Sequence, residues 1–94
     1  MKSQQNEEGW RRFLALCTKL KTAKQFDEFF HLFLTAEERA SIALRTQIVK
    51  ELVNEEKTQR QIANDLNVSI AKITRGSNSL KITGNNMRKF IEHL

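Results

Sequence analysis

With 94 residues the chain is sized for one domain with a modest core, so oligomerisation is a natural remedy for marginal stability. It has no proline, three glycines, no alternating β-branched run and no apolar stretch near the roughly 20 residues of a membrane span; this points to helices and away from strands and membranes. The net charge is +5, but residues 57–89 hold seven basic side chains against one acid, Asp65, so that stretch carries +6 and the remainder −1. Such a localised field suits a polyanionic partner, or else it is a solvated basic face.

Residues 1–8 are polar and lack the apolar core of a signal peptide. They read as a flexible arm on a single helical domain spanning 1–94, in a cytoplasmic protein. The first helix is expected from Glu8 to Lys21, where Trp10, Phe13, Leu14, Cys17 and Leu20 recur at three- and four-residue steps. Cys17 has no second cysteine to pair with, and its apolar neighbours suggest a buried thiol rather than a reactive one. His31 and His93 have no partners at metal-ligand spacing, so no metal is expected.

Thr22-Ala-Lys-Gln25 has the spacing of a capping box, in which a hydroxyl and a side-chain amide satisfy orphan helix amides. It opens a second helix, Ala23 to Phe33. Phe26, Phe29, Phe30, Leu32, Phe33 and Leu34 make that segment apolar on more than one side. A short chain has little core to bury it in, which argues for a partner subunit. A cofactor pocket is the alternative.

Thr35-Ala-Glu-Glu38 is a second capping box and starts a third helix, Ala36 to Asn54. Ala40, Ala43, Leu44, Ile48, Leu52 and Val53 form its main apolar face, broad enough for the middle of an assembly. Thr58-Gln-Arg-Gln61 is a third box and opens a fourth helix, Gln59 to Leu66. Asn67-Val68 makes a turn, and Ser69 is placed to cap a fifth helix, Ile70 to Arg75. Gly76-Ser-Asn-Ser79 interrupts the pattern. A last helix follows from Asn85 to Leu94, with Met87, Phe90, Ile91 and Leu94 as its apolar side.

Residues 59–76 fit a helix-turn-helix. Ala63 is small where two helices would cross, while Ile62, Leu66, Val68 and Ile73 point inward. Asn67 takes a turn position that needs a left-handed backbone, which Asn tolerates better than most residues. An ordinary αα-hairpin would explain these apolar positions but not the surrounding charge. Gln59, Arg60, Lys72, Thr74, Arg75 and Lys81 are donor-rich, and Ser69, Ile70 and Ala71 are slim enough to let the fifth helix approach a major-groove floor. The reading is an all-α chain that binds double-stranded DNA.

The run Ile73-Thr-Arg-Gly-Ser-Asn-Ser-Leu-Lys81 resembles the signature of the tryptophan repressor family. The resemblance extends back through Trp10-Arg-Arg-Phe13, Leu32-Phe-Leu-Thr35, Glu38-Arg39 and Arg45, and so covers most of the chain. It implies an intertwined homodimer with six helices per chain, repressing transcription from operator DNA with L-tryptophan as co-repressor. The regulated genes would serve tryptophan biosynthesis or uptake. It also implies a pocket in which Arg75 covers one indole face and bonds the carboxylate, while the partner subunit's Arg45 covers the other. Gly76 would let the ring approach the backbone, and Ser79 would offer a hydroxyl. The carbonyls of Leu32 and Leu34 would accept from the ammonium near a helix C-terminus, and Thr35 would close that edge. The chain departs from the family pattern at Ala36, Ala63, Ser69 and Lys72, leaving Arg45, Arg75, Gly76 and Ser79 intact.

Two other readings stay open at this level: a ligand-independent DNA-binding module, and a helical protein whose basic face meets an acidic protein partner. No acid–base pair, nucleophile arrangement or metal cluster suggests an enzyme.

Overall fold

A computed structural model describes residues 2–93. It has six helices, and no strand among those residues: α1 (Lys2–Cys17), α2 (Ala23–Phe33), α3 (Ala36–Asn54), α4 (Gln59–Leu66), α5 (Ile70–Ile82) and α6 (Asn85–Glu92). No helix among them is long and apolar enough to cross a membrane. The chain divides into two compact units, Met1–Arg39 and Ala40–Leu94, with the division inside α3.

The bounds of α2, α3 and α4 fall where the capping boxes place them. In all three boxes the hydroxyl accepts from the amide three residues on, at 3.1 Å: Thr22 from Gln25, Thr35 from Glu38 and Thr58 from Gln61. The return bonds also form. Gln25 Oε1 accepts from the Thr22 amide at 3.3 Å, Glu38 from Thr35 at 2.8 Å and Gln61 from Thr58 at 2.8 Å. Such bonds satisfy donors that a helix start leaves orphaned.

Helix α1 differs at both ends from the expected Glu8–Lys21. It takes in residues 2–8, the expected arm, because nothing before Gly9 breaks a helix; Met1 lies outside the described residues. One turn is held by the Arg12–Glu8 pair at 2.7 Å, which is solvent-exposed and adds only a few tenths of a kcal/mol. Helix α1 ends at Cys17 because the Thr18 hydroxyl donates to the Ala15 carbonyl at 2.6 Å and the Lys21 amide is drawn to Gln25 Oε1 at 2.8 Å. Cys17 is half-buried, not enclosed.

Within the first unit the aromatic rings of α1 and α2 converge. Phe13 stacks on Trp10 at 5.5 Å between ring centres and meets Phe29 at 5.3 Å and Phe33 at 5.6 Å. Phe29 and Phe33 lie 4.6 Å apart. Despite this, α2 contains no fully buried residue.

The second unit holds the core. Ile48 of α3, Ile62 and Ala63 of α4 and Ile73 of α5 form its centre, with Leu44, Leu52, Leu66 and Val68 packed around them. Ile62 and Ile73 are wholly shielded from solvent, each worth roughly 1.5–3 kcal/mol of burial. Ala63 stays small beside them, as the crossing of α4 and α5 requires.

The largest correction concerns α5. Residues 76–79 do not interrupt it, and the helix runs on to Ile82. Gly76 costs about 1 kcal/mol of helix propensity relative to Ala. Burial of Leu80, one turn further on, offsets that cost. Gly76 has no positive φ, so it is an interior helical residue and not a cap. Helix α6 ends at Glu92, and Leu94, expected on its apolar side, lies outside the described residues.

Candidate functional site

The α4–turn–α5 segment has the geometry its sequence calls for. Asn67 adopts the left-handed conformation at φ 55° and ψ 49°. The turn is closed by the Val68 amide, which donates to the Ala63 carbonyl at 3.0 Å, and by the Asn67 amide, which donates to Asn64 at 3.2 Å. Ser69 occupies the cap position of α5, but its hydroxyl makes no capping bond. That side chain stays exposed at the helix start, beside amide groups that favour an anion.

Ile70, Ala71, Thr74 and Lys81 of α5 and Arg60 of α4 are all exposed. Gln59 is half-buried because it bridges the two helices: Thr74 Oγ1 lies 3.1 Å from Gln59 Oε1 and equally near the Ile70 carbonyl. The Gln59 amide nitrogen then keeps its donors for another group.

The basic stretch is not uniformly free. Lys57 Nζ lies 2.8 Å from Asp65 Oδ2 and 3.1 Å from Glu51 Oε2, tying α3, the intervening loop and α4 together. The hydrogen bond the ammonium donates to Asp65, then that to Glu51, holds the lysine pKa above its ordinary value. Lys57 and Asp65 therefore cancel locally. The outward field comes from Arg60, Lys72, Arg75, Lys81 and Lys89, none of which has an ion-pair partner among the described residues.

A cavity of about 470 Å³ lies between α3 and α5 in the second unit, within the range of small-molecule sites. From α3 come Ser41, Leu44, Arg45, Ile48 and Val49; from α5 come Lys72, Arg75, Gly76, Ser79 and Leu80, with Thr83 and Ile91 beyond. Both sets follow the three- and four-residue spacing of one helix face. Arg45, Arg75, Gly76 and Ser79, the residues singled out in the sequence, are thus brought together. Ser41, Val49, Thr83 and Ile91 were missed, although the i, i+3, i+4 spacing around Arg45 already points to Ser41 and Val49.

Arg45 lines this cavity from α3 of the same chain as Arg75. The reason is the close seating of α3 on α5. A Cβ built on Gly76 would lie 3.1 Å from Ile48 Cγ2 and 3.3 Å from Leu52 Cδ1. A larger residue there would make these side chains give by a few tenths of an ångström, and Arg45, one turn before Ile48, lies along the same wall.

Leu32, Leu34 and Thr35 belong to the first unit. The Leu34 carbonyl accepts from Arg39 Nη1 at 2.7 Å, and the Thr35 hydroxyl is engaged in capping α3. Leu32 is 78% exposed. Among the described residues no group of histidine, cysteine and carboxylate side chains is placed to hold a metal ion.

Residues 8–94 match the family described as Trp repressor protein. Over 94 residues, all of this chain and 93% of the relative, it is 50% identical to a protein of Chlamydia caviae named Trp operon repressor homolog. A homolog of that name from Chlamydia trachomatis serovar L2 is 45% identical over 88 residues, 94% of each chain. Another, from Histophilus somni, is 47% identical over 77 residues, 82% of this chain and 73% of the relative. An all-helical fold with a helix-turn-helix, a match over nearly the whole chain and these relatives lead to one conclusion: the chain belongs to the Trp repressor family, a family of transcription regulators and not of enzymes.

Proposed function

We propose that the protein is a homodimeric repressor that binds operator DNA with L-tryptophan as its co-repressor and regulates genes of tryptophan biosynthesis or uptake. The observation that carries this reading is the cavity, whose one wall is the reading helix itself. A ligand there touches Arg75, Gly76 and Ser79, and so bears directly on how α5 is presented to DNA.

The wall chemistry fits an aromatic amino acid. Arg45 and Arg75 supply planar cations for the ring faces and a fork for the carboxylate. Gly76 gives the ring access to backbone, and Ser79 offers a hydroxyl. The Leu32 and Leu34 carbonyls and Thr35 are assigned to the ammonium end. Leu34 already accepts from Arg39, but a carbonyl has a second lone pair for the ammonium.

For DNA, the proposed contacts are Gln59, Arg60, Ser69, Ile70, Ala71, Lys72, Thr74 and Lys81. Dimeric helix-turn-helix proteins meet half-sites about 34–36 Å apart. Tryptophan acts by binding best to the arrangement that has this spacing, so operator must in turn tighten tryptophan. Dimerisation is supported by what one chain leaves uncovered: Trp10 is 60% exposed, Phe33 47%, Phe90 76% and Ile82 87%. Apolar groups on that scale call for a partner surface.

Titration calorimetry with L-tryptophan tests the reading. Saturable binding of one ligand per chain is expected. A folded dimer that binds none leaves a ligand-independent DNA-binding module in its place.

A further inference from the structure

Lys72 stands on the opposite side of α5 from Ile70, Thr74 and Lys81, with Ala71 between the two sides. At about 100° per residue, Ile70, Thr74 and Lys81 fall within about 40° of one another, and Lys72 lies about 180° from their centre. It belongs instead to the stripe 72, 75, 76 and 79, the i, i+3, i+4, i+7 set that lines the cavity. Its side chain is exposed and has no ion-pair partner among the described residues.

The cavity walls therefore carry three cations, Arg45, Lys72 and Arg75, and no carboxylate. Three like charges around one space repel one another, and a negative group between them relieves that repulsion. Two guanidiniums suit the faces of a ring. An ammonium on a flexible stem is a point charge without that planarity, and its natural object is an anionic group. Lys72 also lies nearest the N-terminal end of α5, where the helix dipole favours negative charge as well.

Resting on the co-repressor reading, we propose that Lys72 is a ligand-specificity residue: it binds the carboxylate of the aromatic acid held between α3 and α5, and is not primarily a DNA contact. Lys72 adds a second cation to the carboxylate that Arg75 bonds, from the side of the cavity nearest the start of the reading helix.

Calorimetry on the full chain without DNA tests this, using L-tryptophan, L-tryptophanamide and indole-3-acetate as probes. The amide keeps ring and ammonium but lacks the carboxylate. Lys72→Gln is expected to weaken L-tryptophan about tenfold, the worth of a charge-assisted hydrogen bond. Lys72→Arg should restore most of that loss, and the amide should bind wild type and Lys72→Gln alike. Since Lys72 is exposed, the variants should melt with wild type. Wild-type affinity of Lys72→Gln for L-tryptophan overturns the assignment, as does an equal loss for acid and amide. If wild type ignores L-tryptophan but binds indole-3-acetate in a Lys72-dependent way, the assignment stands and the tryptophan reading fails.

Discussion

Gly76 of α5 and Ile48 of α3 touch so closely that a single methyl group on the glycine would lie 3.1 Å from Ile48 Cγ2. Ile48 is 4% exposed and branched at Cβ, so it has little freedom to yield. The glycine proposed to give a ligand access to α5 is thus also the residue that seats that helix on the core. Gly76→Ala gains about 1 kcal/mol of helix propensity and meets about 1–3 kcal/mol of overpacking. The expected outcome is a net loss of about 1 kcal/mol in urea unfolding, with weaker tryptophan binding in calorimetry.

Thr74 bonds Gln59 while the adjacent Arg75 lines the cavity, so substituting each should separate the two proposed functions. Thr74→Val removes the hydroxyl that holds Gln59 across the α4–α5 junction. DNA affinity should fall about fivefold, as for a lost neutral hydrogen bond, with tryptophan affinity unchanged. Arg75→Ala should lower tryptophan affinity about tenfold or more and abolish the ligand response of DNA binding. Parallel gel shifts and calorimetry read both, and a ligand response that persists in Arg75→Ala contradicts its place in the cavity.

Asn67 carries the left-handed turn residue of the reading head. Asn67→Gly should be neutral within about 0.5 kcal/mol, while Asn67→Ala should cost about 1 kcal/mol, because a Cβ is disfavoured there without a short polar side chain. Thermal unfolding distinguishes the two.

Acid should loosen the start of α3 through Glu38. Hydrogen bonds from the Thr35 amide and then the Thr35 hydroxyl region hold its carboxyl below the ordinary 4.5. A folded pKa below the unfolded one contributes stability that is present above 4.5 and is lost as pH falls through the lower folded value. Glu38→Gln keeps the capping geometry, as Gln25 does at Thr22, and should flatten this part of the acid limb. Exchange of the Thr35 amide with pH measures it.

Lys57 behaves in the opposite sense. Its pKa is raised above 10.5, so its contribution is fully present below 10.5 and is lost as pH rises through the higher folded value. Lys57→Gln should lower Tm slightly at low salt and leave it unaltered at high salt, where exposed pairs are screened.

Much of the fold was legible because its signals are local. Each capping box spans four residues, and Thr22, Thr35 and Thr58 act where the chain alone placed them. The packing of Ile62, Ala63 and Ile73 followed from residue size and spacing. The length of α5 did not, because Gly76, Ser77 and Asn78 carry weak helix propensity, and what sustains the helix is burial of Leu80 and contact with Ile48, over 25 residues away in sequence. The cavity was half legible. Arg45, Arg75, Gly76 and Ser79 come from a resemblance, and Lys72, expected from its charge to contact DNA, also lines the cavity. The pairing of Lys57 with Glu51 is not legible in the sequence, because it depends on how the loop after α3 folds back, through Glu55 in a left-handed conformation at φ 56°.

The central expectation is a coupling between a ligand in the α3–α5 cavity and DNA bound by the helix-turn-helix. A gel shift on candidate operators with and without L-tryptophan measures it directly. Operator affinity is expected to be at least about tenfold tighter with saturating L-tryptophan, within the usual range of coupled sites. Equal affinity with and without L-tryptophan, by a protein that binds both, would contradict it.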